Sequence, residues 1–577
     1  MHCLASACFP AGLVATLLCA CVVAAKGDKA DMVLHNGRIV TVDDDFTIAD
    51  AVAIRDGKFV AVGDSETVLR HAGPGTTTID LAGKTVIPGL IEGHAHVFGA
   101  ATAALHEQVP PLRSVEDVLA YVAERVKHIP KGQLIRVPKA FPTRLREERL
   151  PTREELDGVA PDHPVLVDQS YAIMVNSRAL QLAGITNEEP PPSDTSIQRD
   201  ARTGEPTGLV RGGSRRFAAL APKPRPVTFE EQVAALGDLL RRYNEVGITG
   251  IVSGGVGTEA ARAYMELHRT GRLTARCNFT CRAGSPDDIL EIVRALDDRD
   301  LTTGLGDDMI RIGAAKVGID GGILSGTAYM ATPYGPTGIF HITDPAYRGD
   351  LRSSQDELRA TVRRAWEQGW QFTAHAVGDA AVDHLLDAYA QVHRESNLRP
   401  RRFQAIHADF VSPEGMRRCR DMGVVLQCQP AWHYKDGAAL SRVLSREQLR
   451  RFMPLGSLFE AGIVVAGGSD HMIGLDPNDS VNPYNPWLGI WNAVTRRVER
   501  GDVLGPDERL TREQALRMYT INNAYTTFED DIKGSIEVDN LADLAVLSDD
   551  FLNCPEDAIK DIRAEMTILG GKIVHTE

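Results

Sequence analysis

The chain has no excess of basic charge. Its 63 lysines and arginines are outnumbered by 78 acidic residues, giving a formal net charge of −15. No long basic cluster breaks that balance, which argues against a phosphate-backbone partner such as nucleic acid. Long apolar runs are also missing. The one candidate, residues 11–25, falls short of the roughly 20 residues a membrane-spanning helix needs, so no transmembrane span is expected in the mature chain. A disulfide framework is absent too. Of nine cysteines, four lie in the first 21 residues, and Cys277, Cys281, Cys419, Cys428 and Cys554 are scattered and odd in number. Cys277 and Cys281 read as two buried thiols rather than a bridge.

The N-terminal run has the features of a leader. It ends in Val23-Ala24-Ala25, small residues that suit a signal peptidase, just before Lys26-Gly27-Asp28. Leu18-Cys19-Ala20-Cys21 offers an alternative, a loose bacterial lipobox that would leave Cys21 as a lipid-anchored N-terminus. Residues 1–10 carry His2 but no lysine or arginine, so an apolar N-terminus that is no leader, or a misassigned start, stays open. The expectation is a bacterial protein that is exported: periplasmic, secreted or lipid-anchored.

What is present is an ordinary globular composition, 43% hydrophobic and 24% charged over 577 residues. That length suggests more than one structural unit. Residues 31–83 alternate short β-like runs with turns. Asn36-Gly37 and Asp56-Gly57 are expected to close two hairpins, Met32–Val42 and Ala51–Val62. Similar runs return at Leu544–Leu547 and Met566–Val574. The two ends therefore predict one β-sandwich, from 31–84 and 526–577, with a larger domain between them.

Residues 85–525 read as repeated strand–helix units. The strand candidates are Thr85–Ile91, Gly247–Val256, Leu273–Arg282, Ile310–Asp320, Trp370–Gly378, Arg402–Asp409, Val424–Gln429 and Ile463–Ser469. Eight such units make an α/β fold of the (β/α)8 TIM-barrel type, whose site lies at the C-terminal strand ends. The span exceeds the roughly 250 residues of a standard barrel. An insertion at about 103–235, containing β-like His163–Val167, accounts for most of the excess. Pro190-Pro191-Pro192 and the polar 193–205 read as a loop within it.

At the strand ends lie the residues that carry chemistry. His94 and His96, at i and i+2, point to one face of a strand, and imidazoles are good ligands for zinc and similar ions. Alone, His-x-His is weak evidence. Here Lys316, His375, His407 and Asp470 follow at the ends of later strands, and the ordered series points to a metallohydrolase. Lys316 could instead form a structural ion pair inside the barrel. His384 falls within a helix-like segment, and His471 would point away from Asp470, so neither joins the set. His433, just past the seventh strand, either touches substrate or caps a loop.

These segments resemble the amidohydrolase superfamily, and within it the amidohydrolase 3 branch that includes YtcJ-like proteins. The resemblance runs from about 31 to 577. It is carried by Pro88–His96, Lys316–Gly322, His375–Ala381, Ile406-His407, Gln429-Pro430, Gly468-Ser469-Asp470, Gly534–Ile536 and Ala542–Leu544. It implies one or two divalent metals, zinc foremost. His94 and His96 would hold the more buried ion and His375 and His407 the more exposed one, with Lys316 as a bridging carbamate. Asp470 would bind metal and move protons. Three departures from the branch stand out. Glu92 replaces a frequent Asp, Tyr171 a frequent His, and Arg211-Gly212-Gly213 stands where an acidic residue is common. Tyr171 and the Arg211 region are therefore expected to face substrate.

The resulting expectation is a metal-dependent hydrolase of a non-peptide C–N bond, an amide or N-substituted formamide. An ester or lactone hydrolase is the alternative on the same site. A non-catalytic binding protein of the same fold would have lost ligand positions, and none of the six is lost. A small molecule is the expected partner, and homodimerisation is left open. Intact-mass measurement of the exported protein checks the leader. The mass should correspond to a chain beginning after Ala25 or at a lipidated Cys21, and one still beginning at Met1 would refute export by either route.

Overall fold

The computed structural model describes residues 29–106, 109–186, 195–212, 217, 219–220, 225–282 and 302–577. The leader with Cys21, the triproline at 190–192 and Gly213 lie outside these residues. Eight parallel strands follow in chain order: β1 (Leu90–Ala95), β2 (Ile248–Val256), β3 (Arg276–Arg282), β4 (Ile310–Gly318), β5 (Phe372–Ala376), β6 (Gln404–His407), β7 (Val425–Cys428) and β8 (Val465–Gly467). Each pairs with the next. Several of these strands are buried along their whole length, as strands under an outer helical layer must be. Helices such as Phe229–Asn244, Thr258–Arg269 and Asp379–Glu395 bury their apolar faces against the sheet.

β1 and β8 are joined by individual bonds rather than by a regular ladder. Glu92 Oε1 accepts the backbone N–H of His94 at 2.9 Å and of Ser469 at 2.8 Å. Asn523 donates through Nδ2 to the carbonyls of Ile91 and Gly467, at 2.6 and 2.8 Å. Two backbone bonds, Asp470 N–H to His94 O and His96 N–H to His471 O, complete the seam just past the end of β8. The approach is close enough to require glycine at 93. A Cβ there would sit 2.5 Å from the Gly467 oxygen.

The sandwich has two sheets. Six strands run in the order Lys572–Thr576, Ala564–Leu569, Leu544–Leu547, Thr85–Pro88, Arg38–Val40, Ile48–Ala49; four run Lys58–Gly63, Ala51–Arg55, Met32–His35, Thr77–Asp80. Both chain ends contribute to the core between them, through Leu34, Ile54, Phe59, Leu544 and Ile568 among others. The sandwich is tied to the barrel by Arg276 of β3, whose guanidinium makes two bonds, of 2.6 and 2.8 Å, to buried Asp543.

The sequence expectations need three corrections here. Asp56-Gly57 does turn a hairpin, with both residues at positive φ. Asn36-Gly37 does not: Met32–His35 and Arg38–Val40 lie in different sheets, and the turn carries the chain from one layer to the other. Thr85–Ile91 is not one strand. Thr85–Pro88 belongs to the sandwich, and β1 starts at Leu90, because the chain changes sheets at Gly89. The insertion is also narrower than expected. Val97–His106 and Phe229–Asn244 pack on the barrel. Between them the inserted residues form their own sheet, in the order Thr195–Arg199, Pro206–Gly212, Ala172–Val175, Val165–Asp168, Ile135–Val137, over separate apolar cores.

Glu92 is the test of barrel closure. Glu92→Ala leaves two buried N–H groups without an acceptor, at about 1–3 kcal/mol each, plus a cavity. It should lower unfolding stability by roughly 3–6 kcal/mol, while Glu92→Gln, which keeps an oxygen in place, should lose less than half as much. Denaturant midpoints at constant slope measure the difference, and equal losses would show that the acceptor does not hold the seam.

Candidate metal centre

The barrel brings all six sequence-derived ligand candidates to one rim. His94 ends β1 with His96 just beyond it, Lys316 is near the end of β4, His375 is on β5, His407 closes β6, and Asp470 follows β8. Lys316 Nζ lies 2.8 Å from His94 Nε2. Asp470 Oδ1 lies 3.5 Å from His94 Nε2 and 3.3 Å from His96 Nε2. Donor atoms of His94, His96 and Asp470 all fall within 4.8 Å of one another. The rings of His375 and His407 are 4.4 Å apart, and His94 and His407 are 5.8 Å apart.

Neighbouring oxygens set the free nitrogen of three rings. His96 Nδ1 lies 3.2 Å from the Gly254 carbonyl, His375 Nε2 2.9 Å from the Gly321 carbonyl, and His407 Nδ1 2.8 Å from Gln429 Oε1. A hydrogen bond to oxygen requires the proton on that nitrogen, so His96 Nε2, His375 Nδ1 and His407 Nε2 keep their lone pairs for a ligand. Gly254 also makes room, since a Cβ there would meet His94 Cε1 at 2.5 Å.

Burial holds His94, His375 and His407 neutral. It drives His94 and His375 well below the usual histidine range and His407 down to about 4. Lys316 falls to about 8, again through burial, with Asp470 opposing the shift. Burial works to raise the Asp470 carboxyl, but its interactions with the imidazoles of His96, His407 and His94 outweigh burial and hold the group below its ordinary value. His407 and Asp470 both have positive φ, 76° and 54°. That is costly for residues with a Cβ and is found where a site requires it.

The donor set fits a divalent cation. Four imidazoles, one ionised carboxylate and a lysine able to lose its proton gather at one rim, and three of them bring donor atoms within 4.8 Å of one another. Asp470 Oδ1 is buried there with no hydrogen-bond partner, a costly state unless a cation compensates it.

A cavity of about 1020 Å³ opens above the cluster, lined by His96, Lys316, His375, His407, Asp470 and further residues of the barrel and insertion. Tyr171 reaches it from the insertion, its hydroxyl 3.2 Å from His375 Nε2. Burial raises that phenol above its ordinary range, which keeps its proton. His433 does not reach the cavity. It is buried, stacked on Phe452, with Nε2 at 3.2 Å from the Leu504 carbonyl. Successive helix positions point about 100° apart, so its neighbour Trp432 lines the cavity instead and stacks on His407 at 5.0 Å. Arg211 is also elsewhere, bonded to the Phe340 carbonyl and packed over Tyr347. His384 and His471 stay outside the cluster; His471 bonds Tyr243 and Gly474.

Sequence reasoning gave no role to several residues that shape the site. Asp320 accepts the backbone N–H groups of Val377, Gly378 and Tyr329 at 2.9–3.0 Å, fixing the loop beside His375. Gln429 orients His407, and its position before Pro430 at a helix start was the only local sign of it. Arg282 and Arg352 line the cavity, and no local pattern marks them.

Comparison with known proteins places the chain in a family and shows its fold. The profile of the Amidohydrolase family matches residues 77–575. The chain is 31% identical to N-substituted formamide deformylase of Arthrobacter pascens, over 94% of this chain and 97% of that protein. It is 27% identical to YtcJ of Bacillus subtilis (strain 168), named as an amidohydrolase, over 94% and 98%. An uncharacterised metal-dependent hydrolase from Pyrococcus horikoshii OT3 shares the fold, with a TM-score of 0.66 at 22% identity over 91% of this chain and 99% of that one. With six ligand-type side chains gathered at the rim of a (β/α)8 barrel and a family match over most of its length, the chain belongs to the amidohydrolase family.

Proposed function

We propose that the protein is a metal-dependent hydrolase of a non-peptide carbon–nitrogen bond, with an amide or N-substituted formamide as substrate. The observation that carries this reading is the convergence of His94, His96, Lys316, His375, His407 and Asp470 beneath one open cavity. Similarity to a formamide deformylase over nearly the full length of both chains supports the choice of bond.

His94 and His96 would hold the deeper of two ions, zinc foremost, and His375 and His407 the outer one. Asp470 would complete the set, and Lys316 would bridge as a carbamate. The neutral Lys316 amine adds to carbon dioxide and releases a proton, a step eased by its lowered pKa of about 8. A bound divalent cation supplies Lewis-acid polarisation and acidifies water. The chain's own groups do the rest. Asp470, ionised at the floor of the cavity, accepts the proton of the attacking water and delivers it to the departing nitrogen. The Tyr171 phenol keeps its proton and donates a hydrogen bond to the oxygen that becomes negative in the tetrahedral intermediate. Trp432 walls the cavity against His407 and excludes water on that side. We further infer that the protein acts after export.

Two outcomes follow. Protein purified without chelator should carry one or two equivalents of divalent metal. Chelation should abolish turnover, and Zn²⁺, Mn²⁺ or Co²⁺ should restore it. Metal well below one equivalent, with no activity on addition, would remove the basis for the reading. Asp470→Asn should lower kcat by at least on the order of 10²–10⁴ with a nearly unchanged melting temperature, since the histidines still hold the ions. His384→Ala should leave kcat alone. Near-normal turnover by Asp470→Asn on a confirmed amide would overturn the assigned proton path.

A further inference from the structure

The cavity wall carries more positive charge than its carboxylates balance. Arg282, at the end of β3, and Arg352, in the loop after β4, both line it. Among the described residues neither has a carboxylate partner. Arg352 lies over the Tyr171 ring, 4.6 Å from its centroid, and Arg282 stands in register with Lys316 on the adjacent strand. A third cation, Lys139, reaches the cavity from the insertion. It shares its one partner, Asp168, with Arg136.

The acidic groups facing these cations are already committed. Asp320 accepts three backbone N–H groups, and Asp470 belongs to the ligand cluster. The excess is local, because the whole chain carries a net charge of −15. A positive pocket on an acidic protein focuses anions toward itself. Guanidinium is the group best suited to grip a carboxylate through paired N–H donors.

Building on the hydrolase reading, we propose that Arg282 and Arg352 form a carboxylate subsite, so that the substrate is an amide or formamide bearing a carboxylate close to the scissile bond. The distance fits. Arg352 stacks on the face of the same Tyr171 whose hydroxyl reaches His375, so the anion would sit about one phenol ring from the reacting carbonyl. N-Acyl amino acids have this spacing. The two arginines are specificity-determining, and neither takes part in the bond cleavage.

The test uses matched pairs in which a carboxylate is replaced by its neutral, near-isosteric carboxamide: N-formylphenylalanine against its carboxamide, and N-benzylsuccinamate against N-benzylsuccinamide. Binding is read by titration calorimetry on the metal-loaded protein, and turnover is read separately. Within each pair the carboxylate should be favoured at least 10-fold in Kd or kcat/KM, and less as salt rises. Arg282→Gln and Arg352→Gln should each shrink that ratio, and the double variant should bring it near one. Arg352→Lys, which keeps the charge but loses the fork, should keep part of it. A ratio of one in the wild type, preference for the neutral member, no binding by any probe, or variants that leave the ratio intact would each overturn the proposal. A carboxylate preference that disappears in the double variant, in a protein that hydrolyses no probe, would support the subsite while counting against the hydrolase reading.

Discussion

The seam between β1 and β8 is the constraint on which the site depends. Seven junctions of the barrel are ordinary parallel pairings. The eighth is made by one buried carboxylate, one buried carboxamide and two backbone bonds. Those bonds are placed where they also fix His94, His96 and Asp470. The Asp470 N–H bonds the His94 carbonyl, and the His96 N–H bonds the His471 carbonyl. Three of the six candidate ligands are thereby set by the bonds that close the barrel. Burial raises Glu92 to about 7 against the pull of its two N–H donors, a sign of how little water reaches this seam.

Closure also sets the electrostatics. In a dry rim, imidazoles lose their protons and a lysine loses much of its preference for the charged form. Such a cluster of nitrogen lone pairs and one carboxylate is unfavourable without a cation. The rest of the cavity has the opposite character. Exposed arginines at β3 and the loop after β4, and Lys139 from the insertion, form a positive wall over the neutral donors. Most of the ligand donors are buried at the floor of the cavity, whereas Arg282 and Arg352 are exposed on its wall.

Much of the fold was legible from pattern. Strand–helix alternation located the barrel strands, the first of them only through Leu90-Ile91, since a parallel sheet under helices demands apolar strands at regular intervals. Errors came where the chain changed layers. Thr85–Ile91 is one uninterrupted apolar run, yet Gly89 divides it between two sheets, and periodicity cannot register a change of partner. Asn36-Gly37 has hairpin chemistry and a positive φ at Asn36, but the flanking strands pair elsewhere. His433 was drawn toward the site by proximity in sequence, while helix geometry gave that place to Trp432.

The sequence by itself determined the strand–helix order, the sandwich at both ends and the six ligand candidates, because each is written in local residue type and spacing. Their convergence was decided only by tertiary structure. Lys316 and His94 are 222 positions apart and 2.8 Å apart in space, a contact set by the order in which strands close a barrel. Which side chains line the cavity was decided in the same way. Tyr171 arrives on an inserted sheet and Arg352 on a long loop, where no periodicity constrains direction. The partners that orient each ring, Gly254, Gly321 and Gln429, are likewise neighbours through strand pairing or loop packing, and nothing in their own residue types announces the role.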